Sequence, residues 1–149
     1  MKKVAMSIVS ALALCHLSFA QAKAFKPVST KEAELLVAAW IKAKEKGETR
    51  WDLKPKLNDV STPEIRNRIG AQLFKISGYT QSVPEADAYL VKNRKVIALS
   101  RGFGGFGLGS FCVSDIDRNG KPELLYTYSW GSGLHRTHIE ALLFEKETP

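Results

Sequence analysis

The clearest chemical spacing in this 149-residue chain lies in SDIDRNGKPELLY, Ser114 to Tyr126. Asp115, Asp117 and Asn119 stand at alternate positions, Gly120 follows, and Glu123 comes three residues later. Alternation along a tight loop turns every second side chain inward, so these oxygens converge. Hard divalent cations take several oxygens at about 2.3–2.6 Å. Gly120 permits the sharp bend, Lys121 can offer its backbone carbonyl, and Glu123 adds a further carboxylate. A plainer reading also fits: Asn119-Gly120 is a strong hairpin-turn signal, and the acids beside it could simply be solvated.

An EF-hand would carry glutamate at the twelfth loop position and helices on both sides. This chain has Tyr126 there, between expected strands. The pattern instead resembles the Asp-x-Asp-x-Asn-Gly-x-x-acid hairpin loop of the FG-GAP and VCBS repeat families. That resemblance spans the loop alone. It implies one Ca2+ held between two strands by Asp115, Asp117, Asn119, the Lys121 carbonyl and Glu123. The chain departs from those families in having one copy of the loop, and in Glu123 where aspartate is usual. An affinity on the order of 10⁻⁴–10⁻³ M is expected of such an extracellular-type site. With the following SWGSGLHR, the loop also resembles a stretch of small exported bacterial proteins.

The next residues carry aromatic and imidazole groups. Leu124, Tyr126, Tyr128 and Trp130 alternate onto one strand face, which makes them core or, if exposed, a stacking surface for a sugar or a protein. His135 and His138 would point to opposite sides of a regular strand, so a shared metal would need a turn between them. Ser129 and Ser132 lack the Gly-x-Ser-x-Gly elbow of a hydrolase nucleophile. WGSGLHR reads as a tight loop with His135 and Arg136 at its surface, and Tyr128, Trp130, His135 and Arg136 form the candidate binding end.

The elements that must position these groups follow from periodicity. Ser29 and Glu32 fit a capping box, and Ala33, Leu36, Val37, Trp40 and Ile41 share a face, predicting a helix from Thr30 to Lys46. Thr62, Pro63 and Glu64 predict the start of a second helix, with Ile65, Ile69 and Leu73 on its buried stripe. From Ala86 the period is two, predicting strands on either side of the turn Lys92–Lys95 and at 110–115, 123–130 and 137–144. The glycine run RGFGGFGLGS leads into a strand and lacks the lysine of a phosphate loop, so it reads as a bulged connection. The expected fold is α+β, two N-terminal helices packed on a mostly antiparallel sheet of about five strands.

Residues 1–24 have Lys2 and Lys3, an apolar stretch and small residues at 20, 22 and 24, the layout of a signal peptide. Residues 25–149 are then one domain, with no membrane-spanning segment expected in it. Cys15 as a lipid-modified cysteine fits poorly, because Leu14 before it is not small. Removing Lys2, Lys3 and Lys23 lowers the formal charge from +7 to +4. The remaining cations are dispersed, and no nucleic-acid motif accompanies them. Cys112 is left alone and is expected to be a small buried hydrophobe. The reading that joins these points is a periplasmic or secreted non-enzymatic binding domain, stiffened by Ca2+, with a protein or glycan partner in the cell envelope. The alternative is a hydrolase of envelope or extracellular material using His135, His138 and nearby acids.

Overall fold

The computed structural model of the chain describes residues 25–44, 55–77, 86–100, 106–131 and 133–144. The expected leader, most of the connector with Trp51, and Phe103 of the glycine run lie outside the described residues. Helix α1 covers Thr30–Lys44. The Ser29 half of the expected capping box is in place: Ser29 Oγ accepts the Glu32 N–H at 3.2 Å, satisfying one otherwise orphaned donor. Ala33, Val37 and Ile41 are buried one turn apart, while Trp40 is half-buried with its ring edge-on to Tyr89.

The second expected helix is cut short. Pro63 and Glu64 open a short turn that closes as a wide π-type helix, Ile65–Ile69, and Gly70 stops it in the left-handed conformation at φ 68°. The chain then leaves as a strand. Ile65, Ile69 and Leu73 do share one core, as helical spacing suggests, but Leu73 reaches it from the strand. The neighbour Phe74 points the opposite way, under α1, which no helical stripe would permit.

Among the described residues seven strands form, in two antiparallel sheets rather than one. The first sheet has the order β1-β2-β3-β4: β1 Leu57–Asp59, β2 Gln72–Ile76, β3 Ala88–Lys92 and β4 Lys95–Leu99. The second has the order β5-β6-β7: β5 Gly107–Ser114, β6 Glu123–Trp130 and β7 Arg136–Leu142. The expectation of two helices on one five-stranded sheet is therefore wrong, and the described residues are mostly β. Strands β3 to β7 stand where the two-residue period placed them; β1 and β2 are the additions.

Three layers result. Helix α1 covers one face of the first sheet through Leu57, Phe74, Tyr89 and Val91. The other face, with Leu73, Ala88, Leu90 and Leu99, packs on Leu108, Leu124, Tyr126 and Tyr128 of the second sheet. Strand β3 is thus buried on both sides, so Ala88, Tyr89, Leu90 and Val91 are all buried in succession. A polar joint locks the layers at one end. Asp87 accepts the Leu108 N–H at 3.1 Å and the Ser100 hydroxyl, and Lys75 Nζ donates to the Leu108 carbonyl at 2.9 Å.

Candidate metal centre

The acidic loop joins β5 to β6 at the end of the second sheet away from that joint. Ser114 pairs with Glu123, so the hairpin begins at the residue that supplies the last acid. Each acidic side chain is tied to the loop's own backbone. Asp115 Oδ2 accepts the Gly120 N–H at 2.9 Å, Asp117 Oδ1 accepts the Asn119 N–H at 3.1 Å, and Glu123 Oε2 accepts the Ile116 N–H at 2.7 Å. Gly120 makes the bend at φ 80°.

These bonds gather the carboxylates. Asp115, Asp117 and Glu123 each present an oxygen, and the three oxygens lie within 4.8 Å of one another. Oxygens that share a calcium at 2.3–2.6 Å are at most about 5 Å apart, so the spread suits a common ion. Glu123 is only 2% exposed, and Asp115 Oδ1 is buried with no hydrogen-bond partner. Among the described residues none of the three acids forms an ion pair. Converging carboxylates repel one another, and a buried oxygen without a donor is costly to hold. A cation would relieve both.

The remaining residues of the expected set are placed less directly. Asn119 Oδ1 accepts the Lys121 N–H at 2.8 Å and its Nδ2 donates to Asp117 Oδ2 at 2.7 Å. One lone pair of that amide oxygen is therefore occupied and one is left. Lys121 is exposed, and only its backbone carbonyl enters the expected set.

At the other end of the sheet, Tyr128 is buried and Trp130 half-buried, facing the core with Leu124 and Tyr126. The His138 ring stacks on Tyr128 at 5.0 Å and on Trp130 at 5.4 Å. Tyr126 and Tyr128 donate their hydroxyls to Glu140 at 2.5 and 2.6 Å. The Glu140 bond and burial push the Tyr128 phenol up to about 12. This polar rail along β7 is invisible in the two-residue period, because Glu140 and His138 interrupt an otherwise apolar face. Their register with Tyr126 and Tyr128 is the signal that would have revealed it.

His135 does not join His138. It is exposed and stacks on Phe106 at 5.0 Å, while Arg136 opens β7 opposite Trp130. Among the described residues, the acidic loop is the group of three His, Cys, Asp or Glu side chains placed to share a metal, and neither histidine belongs to it. Cys112, expected inside, lies on the exposed outer face of β5.

No family model, no curated protein and no solved structure gives a significant match to the chain. Its class therefore rests on its own geometry: the described residues are mostly β, with one long helix, a short π-type helix, two antiparallel sheets and a carboxylate-lined hairpin loop.

Proposed function

We propose that this chain is an exported, non-enzymatic binding domain whose β5–β6 hairpin is held rigid by one Ca2+ ion. Asp115, Asp117 and Glu123 supply the carboxylates, and Asn119 with the Lys121 carbonyl completes the oxygen set. The observation that carries the reading is the buried, partnerless Oδ1 of Asp115 beside two further carboxylate oxygens within 4.8 Å. Export rests on the leader layout of residues 1–24. The binding end is the opposite tip of the sheet, where Phe106 and Leu134 are exposed beside His135 and Arg136. The rings of Tyr126, Tyr128, His138 and Trp130 stack along a row, so their faces are occupied by one another. That favours a protein partner over a sugar, which needs an open ring face.

Isothermal titration with calcium tests the reading directly. The wild type should bind one ion in the 10⁻⁴–10⁻³ M range, and Asp117→Ala should abolish the heat. No heat from the wild type at millimolar calcium rules the site out. Capture of envelope proteins with calcium, repeated with chelator, tests the binding role; loss of capture on chelation is the expected result.

A further inference from the structure

Cations far apart in the chain meet at the end of the molecule that carries the acidic loop. Lys92 and Lys95 pair at the tip of the β3–β4 hairpin, whose turn is Asn93 and Arg94, both in the left-handed region. Lys92 Nζ lies 4.6 Å over the Phe144 ring, which places that tip beside the end of β7. There Leu142 stands opposite Leu124, the neighbour of Glu123. Arg68 Nη1 donates to the Val113 carbonyl at 3.5 Å, one residue before β5 ends. The loop itself adds Arg118 and Lys121. Arg68, Arg94, Lys95, Arg118 and Lys121 are all exposed. Of the acids outside the loop at this end, Glu32 and Asp59 are paired with Arg94 and Arg66, and Glu64 is exposed. Two large apolar side chains stand among these charges, Ile116 at 50% and Leu143 at 64% exposure.

We infer that this end docks, with calcium bound, on a bilayer bearing anionic phosphate headgroups. The inference rests on the calcium reading above and leaves the opposite tip for the protein partner. A lysine or arginine held at an anionic bilayer is worth about fivefold in affinity, so several gathered at one end form a docking surface. Without the ion, Asp115, Asp117 and Glu123 set three negative charges in the middle of that surface and oppose docking. A bound divalent ion cancels two of them, which makes docking depend on calcium.

The ion also supplies a direct contact. Asp115, Asp117, Asn119, the Lys121 carbonyl and Glu123 give fewer oxygens than the about six to eight that calcium takes, if each gives one. Glu123 is buried, whereas Asp117 and Asn119 are exposed, so the loop is open on its solvent side, where a phosphate oxygen can enter. Ile116 and Leu143 favour a lipid over a soluble phosphate. A membrane interface takes up apolar side chains beside cations, and a free anion leaves them in water.

Co-sedimentation of the purified full chain with vesicles tests this. Vesicles of equal phosphatidylglycerol and phosphatidylcholine should carry the wild type down in about 5 mM calcium, above the expected dissociation constant, and release it in chelator. Phosphatidylcholine alone should leave it in the supernatant, and Asp117→Ala should stay there in either buffer. Arg68→Gln combined with Arg118→Gln should keep the circular dichroism and the calcium heat of the wild type, and weaken vesicle binding at least about tenfold. Glycerol 3-phosphate, matched in phosphate, should not displace the protein; displacement would assign the surface to a soluble phosphate and overturn the lipid. Calcium heat without vesicle binding overturns the inference and leaves the ion reading intact, whereas absence of calcium heat overturns both. Binding that persists in chelator, or is equal on neutral vesicles, overturns it too.

Discussion

The carboxylate of Asp87 occupies the space that a side chain on Gly107 would need: a Cβ there would stand 1.9 Å from Oδ2. Gly107 also has φ 61°, a conformation that other residues adopt at a cost. Glycine at the start of β5 thus lets a side chain from the first sheet cap the backbone of the second, with Lys75 Nζ 3.7 Å from the same carboxylate. Gly107→Ala should destabilise the protein by roughly 2–4 kcal/mol, combining left-handed strain with displacement of Asp87. Gly70 is the control, since it has φ 68° but nothing within 4 Å of a built Cβ. Gly70→Ala should cost only about 1–2 kcal/mol. Equal losses for the two variants in urea titrations would show that Asp87 moves aside freely.

Calcium should raise the stability of the wild type. At about 10 mM ion and a dissociation constant of 10⁻⁴–10⁻³ M, the gain is about 1.4–2.7 kcal/mol. Thermal unfolding with calcium, and again after chelation, measures it; Asp117→Ala should unfold identically in both.

The Tyr128 phenol should give a stability change at alkaline pH. Its folded value is raised from 10.0 to about 12 by the Glu140 bond and burial. A raised value means the folded state holds the proton more tightly. The contribution is therefore complete below pH 10 and is lost as pH rises towards about 12. Tyr128→Phe should flatten the decline in stability across that window. Denaturant midpoints through the alkaline range check this, and an unchanged slope would count against the Glu140 bond.

Cys112 should react with a thiol reagent without denaturant, because it is exposed beside Leu125 on the outer sheet face. Protection from the reagent until the protein unfolds would place the thiol inside after all.

Much of the architecture was legible along the chain. The α1 cap follows from Ser29 and Glu32, and the strands from Ala86 onward follow from alternation, because both signals are local. The second helix ends early: Ile65 and Ile69 share a helical face, but Leu73 falls at helical spacing only by coincidence of position. Gly70 turns the chain between them, and a strand carries Leu73 into the same core. The acids of the loop were legible for a similar reason: two-residue spacing in a short hairpin leaves few ways to fold. The rail of Glu140, His138 and the tyrosines was not, because it depends on cross-strand register between β6 and β7.

By itself the sequence determined the first helix, the later strands and the convergence of Asp115, Asp117 and Glu123, since neighbours within a few residues settle each of these. Tertiary structure decided the division into two sheets, the burial of β3 on both faces and the exposure of Cys112. Those depend on which surface meets which across the layers, and burial of apolar area is a non-directional force that local pattern does not resolve. Alternation shows that one face of a strand is apolar; only packing shows whether the other face meets water, α1 or nothing.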